Sequence, residues 1–127
     1  MDMELTKINF KPSFFSDRPL ELLSDGEFSA IAFRYETGVC GLKISNKKCN
    51  MVVLPYMGQQ IWFAEFNGKN LTQKSIFDQP QNTVKFGDNY GGLLLHCGLT
   101  NINCAESDED YPLHGELPFA NYQDTYT

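Results

Sequence analysis

The chain has 127 residues, 42% of them hydrophobic and 20% charged, which is enough for one packed domain and argues against wholesale disorder. Its net charge of −6, with only 10 Lys and Arg against 16 Asp and Glu, leaves no basic stripe to release counterions, so nucleic-acid backbone binding is excluded as a function class. No apolar run approaches the roughly 20 residues of a membrane helix, and Met1–Asp17 lacks a basic start followed by an apolar stretch.

Ten Phe and six Tyr favour strands over helices. Residues 1–25 show no steady periodicity and read as an arm. Within it Leu20–Leu23 is a candidate helical turn, capped by Ser16 or Asp17 with Pro19 in the first turn; otherwise the arm packs on a sheet. From Phe28 the pattern has period two. Phe28, Ala30, Ala32 and Arg34 fall on one face, and Ser29, Ile31, Phe33 and Tyr35 on the other, so a strand is expected up to Thr37-Gly38. Val39–Ile44 is expected as a second strand, Ser45–Lys48 as a turn and Cys49–Leu54 as a third strand. That hairpin sets Cys40 near Val53 and away from Cys49. After the break at Pro55–Gly58 alternation resumes over Gln59–Phe66, and Asn67-Gly68 is the strongest hairpin signal in the chain. Residues 69–90 read as a long irregular loop, and Leu93–Cys97 as the last strand. The expected fold is all-β and antiparallel, a single domain over residues 1–127 with short strands and tight turns.

The chemistry gathers in residues 89–123. Both histidines lie there, His96 and His114, each closely followed by glycine (Gly98, Gly115), so that a ligand or another backbone can approach. The plainer alternatives are a core or edge histidine at 96, alternating with Leu94, and a turn histidine at 114. Zinc ligation by His96, Cys97, Cys104 and His114 is disfavoured, because neighbours on a strand point to opposite faces. The acidic run Glu106–Asp110 lacks the glycine and ligand spacing of a calcium loop and reads as solvated, so no metal or other cofactor is expected. Trp62 reads as core more readily than as a sugar-stacking platform. Cys40, Cys49, Cys97 and Cys104 form no CxxC pair; three disulfide pairings are open, and free thiols in a reducing cytoplasm are the simpler expectation.

Four linked motifs carry a resemblance. Leu54-Pro55-Tyr56-Met57-Gly58-Gln59-Gln60-Ile61-Trp62 is followed by Asn67-Gly68-Lys69-Asn70-Leu71. Then come Tyr90-Gly91-Gly92-Leu93-Leu94-Leu95-His96-Cys97-Gly98-Leu99-Thr100 and Pro112-Leu113-His114-Gly115-Glu116-Leu117-Pro118. Over roughly residues 28–123 the chain resembles the aldose 1-epimerase-like (galactose mutarotase-like) proteins, and more closely their uncharacterised bacterial branch. The resemblance implies an antiparallel sandwich, here the N-terminal portion of a galactose-mutarotase-like β-supersandwich, and a small-molecule sugar as partner. It implies a catalytic role for His114 at the sugar ring oxygen, with His96, His114 and Glu116 contacting substrate. In that family the general base and a second catalytic histidine lie further downstream. After His114 the chain has only Glu116 and Asp124 as carboxylates, so the expectation is sugar binding without epimerase activity. An incomplete sandwich is further expected to self-associate through exposed sheet edges.

Overall fold

The computed structural model describes residues 6–127; the first five residues of the expected arm, and that part of the N-terminal reading, lie outside the described residues. The all-β, antiparallel expectation is borne out. Among the described residues six strands form one sheet as a simple meander, each strand beside its sequence neighbour: β1 (Leu20–Ser24), β2 (Ser29–Arg34), β3 (Cys40–Ser45), β4 (Cys49–Val53), β5 (Ile61–Phe66) and β6 (Lys69–Asn70). What packs on the sheet, among the described residues, is irregular chain with three short 3-10 turns, at Pro12–Phe14, Phe86–Asn89 and Leu117–Phe119. Among the described residues no helix is long and apolar enough to cross a membrane.

The expected strands from Phe28 to Phe66 appear as β2 to β5 with ends shifted by one or two residues. Their alternation is physical: Ala30 and Ala32 face inward on β2 and pair with Ile44 and Leu42 of β3, placing all four on one face. Leu42 in turn pairs with Val53 of β4. Cys40 therefore lies two residues short of the expected Val53 partnership, although it is still well away from Cys49, and all four cysteines are free thiols. Asn46 closes the β3–β4 hairpin, its side-chain oxygen accepting from the Lys48 and Cys49 amides at 2.9 and 2.8 Å. Asn67 and Gly68 have φ of +48° and +73°, as a two-residue hairpin with both central residues left-handed requires, and β6 follows at once.

Two expectations need correction. Leu20–Leu23 is not a helical turn but the edge strand β1, because Leu20 pairs with Ala32 and Glu21 with Ile31. A ladder with β2 outweighs the helix propensity of a leucine pair. Leu93–Cys97 is not a strand: within the run Leu94 makes an isolated bridge, to Ile61, and no ladder forms. Val53 pairs with Ile61 through an irregularity in the β4–β5 register, and Ile61 is where the Leu94 bridge forms.

Two apolar clusters hold the layers. One joins Ala30, Ala32 and Leu42 to Phe10 and Phe15, so the arm does pack on the sheet. Phe15 is only 1% exposed and meets Phe10 and Tyr56 edge-on, with ring centres 6.0 and 5.5 Å away. The other joins Val39, Leu54, Met57 and Trp62, with Phe77 and Phe119 from the irregular part laid against them. Trp62 is thus core and not a surface platform.

Candidate functional site

The stretch after β6 is held to the sheet by a few specific bonds. Ile61 N donates to Leu94 O at 3.0 Å and Leu93 N to Ile61 O at 2.8 Å, anchoring the run before His96 on β5. Downstream, the break between β4 and β5 receives the segment after Glu116. Gly58 N donates to Ala120 O at 2.8 Å, and the buried Gln60 amide donates to Pro118 O at 2.7 Å. A charge-free amide satisfied in this way fixes position at little desolvation cost.

Between these anchors the two histidine segments are stitched together. Gly98 and Gly115 form a parallel bridge. Gly98 N donates to His114 O at 2.9 Å, and Glu116 N returns to Gly98 O at 3.1 Å. His114 itself has φ of +66° and Gly115 +88°, a left-handed pair that turns the chain sharply. Only glycine fits at 115: a side-chain carbon there would lie 2.1 Å from Asn101 O and 2.7 Å from Gly98 O. The expected close approach at these glycines is therefore made by backbone, each segment upon the other.

The half-buried His114 ring packs edge-on against Phe86, centre to centre 4.5 Å, and Phe86 in turn leans on Tyr90 at 5.5 Å. Its main-chain N–H donates to Asn103 O at 2.7 Å. Exposed His96 lies instead on the wall of a cavity of about 390 Å³. The floor is Leu42, Ile44, Val53 and Ile61, the inward side chains of β3 to β5; Phe10, Thr125 and Tyr126 form another wall. His114 does not line it. Among the described residues neither imidazole makes a hydrogen bond, and the exposed His96 ring is open to a ligand.

Glu116 has a different position. One carboxylate oxygen accepts from the Asn101 side-chain amide, and the other accepts from the main-chain N–H of Thr100 and Asn101 at 3.2 and 3.3 Å. Hydrogen bonds to the charged form, that from the Asn101 side chain foremost, hold its carboxyl below the usual range. Both oxygens are thus committed to the 100–101 turn. Cys97 and Cys104 are exposed, and Tyr111 donates its hydroxyl to the carbonyls of Ile102 and Cys104. Among the described residues no group of three or more His, Cys, Asp or Glu side chains converges as a metal site would require.

Sequence reasoning missed Phe10, Thr125 and Tyr126 as cavity residues. They meet because the two chain ends run together as a ribbon. Ile8 N donates to Thr127 O at 2.8 Å, Phe10 N to Thr125 O at 2.9 Å, and Lys7 sits 3.9 Å over the Tyr126 ring. No local pattern announces a pairing between the two ends. Compared with known proteins, the chain matches no family model, no curated protein and no solved structure.

Proposed function

We propose that the chain is a carbohydrate-binding protein of the aldose 1-epimerase-like kind, its sugar held along the strip from His96 through Gly98 and Gly115 to His114. The observation that carries the reading is the Gly98–Gly115 bridge, which brings the chain's two imidazole-bearing segments side by side, the first of them with His96 on the wall of a cavity. Imidazole is the side chain that exchanges a proton near neutrality. Interconverting anomers takes the proton from the anomeric hydroxyl and delivers one to the ring oxygen, so the ring opens, the carbonyl rotates and the ring recloses. In this reading His114 donates to the ring oxygen and His96 to a neighbouring hydroxyl. Glu116 serves by holding the 100–101 turn, because both its oxygens are already engaged. Ring opening also needs a carboxylate base opposite the imidazole, and Glu116, the acidic side chain nearest His114 in sequence, has both oxygens engaged by the 100–101 turn. The reading is therefore binding without turnover.

Calorimetric titration with D-galactose and D-glucose, beside H96A and H114A, tests it. Binding weakened about tenfold or more by each substitution supports the strip, that factor being the usual loss for one good hydrogen bond to a polar ligand. Unchanged affinity in both variants removes the site. Polarimetry on the same samples is expected to give anomer interconversion at the uncatalysed rate; a clear acceleration contradicts the absence of turnover. The reading extends to a reducing, cytoplasmic setting, which suits four free thiols, and to self-association at the free edge of β1, where Leu20 and Leu23 are exposed. Sedimentation that stays monomeric at high concentration sinks the latter.

A further inference from the structure

Two neighbouring glutamines at the break between β4 and β5 are used differently. Gln60 is 2% exposed and donates its side-chain amide to Pro118 O at 2.7 Å, which ties the segment after Glu116 to the sheet. Gln59 is exposed, and among the described residues its side chain makes no hydrogen bond. Its backbone is nevertheless left-handed, with φ of +47°, a conformation that glycine or asparagine adopts more readily than glutamine. Neither apolar cluster includes it. An outlier that the packing does not use points to a ligand contact.

Gln59 shares its setting with His96. The isolated bridge between Ile61 and Leu94 is antiparallel, so the residue two before Ile61 and the residue two after Leu94 fall on the same side of it. Those residues are Gln59 and His96, and all four line the cavity of about 390 Å³. We propose that Gln59 is a sugar-binding residue, acting with His96 as a two-point clamp on neighbouring hydroxyls of the ring. The proposal rests on the sugar-binding reading above and adds a residue and the ligand feature it grips. A primary amide carries two donors and an acceptor, and a neutral imidazole one donor and one acceptor, while each hydroxyl both donates and accepts. A pair of adjacent hydroxyls therefore engages both side chains. The left-handed turn over Gly58 and Gln59, anchored by Gly58 N on Ala120 O at 2.8 Å, fixes the direction in which the amide leaves the chain.

The test follows the side-chain amide signals of the full chain by proton–nitrogen correlation NMR while D-galactose or D-glucose is added. Gln60 is the internal control, because its amide is already bonded to Pro118 O. The expected result is that the Gln59 Nε2 signals shift along the same curve as the His96 ring protons while those of Gln60 stay still. Q59A is expected to weaken binding about tenfold, and Q59N, which suits left-handed backbone but shortens the reach, to weaken it too, neither lowering the urea midpoint of an exposed, unbonded position. Gln59 signals that stay still while His96 responds overturn the proposal and leave the sugar reading standing, as does a Q59A variant that binds like the wild type. A Gln59 response without one from His96 overturns the clamp. Gln60 signals that move as far as those of Gln59 show the whole segment shifting, and overturn it too. No response from His96, His114 or Gln59 to either sugar overturns both readings.

Discussion

Gly115→Ala isolates the stitch between the two histidine segments. The added methyl would lie 2.1 Å from Asn101 O, 2.7 Å from Gly98 O and 2.9 Å from Gly98 Cα, all of them main-chain atoms that cannot swing aside as a side-chain tip can. The 98–101 run has to move away, and with it go the bonds from Gly98 N to His114 O and from Glu116 N to Gly98 O. Two main-chain bonds at roughly 1 kcal/mol each, added to about 1–2 kcal/mol for an L-residue held left-handed, give a loss of about 3–4 kcal/mol. Gly68→Ala is the control, because Gly68 also has positive φ but nothing within 4 Å of the new carbon, so only the conformational cost of about 1–2 kcal/mol applies. Urea unfolding of both variants measures the difference, and amide exchange at Gly98 reports whether the stitch itself has opened. A Gly115→Ala protein no less stable than Gly68→Ala, with Gly98 still protected, refutes the reasoning.

Three further outcomes are expected. Phe15→Ala, at the centre of the arm-on-sheet cluster, costs about 3–5 kcal/mol in urea unfolding; a loss near zero detaches the arm from the core. Glu116 has a folded carboxyl pKa below its unfolded value, so its contribution to stability is present above the unfolded value of about 4.3 and is lost as pH falls through the folded one. Acidification is expected to release the Thr100 and Asn101 amides to exchange, and Glu116→Gln to remove that pH dependence; amides that stay protected in acid contradict it. Burial pushes the Tyr35 hydroxyl up to about 12, against an unfolded value of about 10. A raised pKa means stability that is complete below the unfolded value and lost as pH climbs to the folded one. Unfolding free energy is therefore expected to fall between those two pH values in the wild type and to stay flatter in Tyr35→Phe, measured by urea unfolding across that range.

The central sheet was legible because its strands alternate cleanly and their turns carry Gly38, Asn46 and Asn67-Gly68 at the reversals. β1 was not, since Leu-Glu-Leu-Leu-Ser has neither a clear helical nor a clear strand period of its own and becomes a strand through its pairing with β2. The opposite error at Leu93–Cys97 has the same root. Alternation announces a residue pattern, whereas a strand needs a partner, and there the Leu94 bridge does not extend into a ladder. In the candidate site, the glycines after both histidines signalled a close approach, but the approaching group is the other segment's backbone. Glu116 is placed where Asn101 and two amides absorb its charge, a consequence of the turn at 100–101 that spacing alone does not convey. The His96 cavity depends on Phe10, Thr125 and Tyr126, which the ribbon of chain ends carries there from opposite ends of the sequence.

The most direct test of the account is to follow the ring carbon-bound protons of His96 and His114 by NMR while D-glucose or D-galactose is added. One sugar site spanning both imidazoles predicts that the two rings shift together, along curves that share a single dissociation constant. Rings that stay still up to the solubility limit of both sugars, or that respond with unrelated affinities, contradict it.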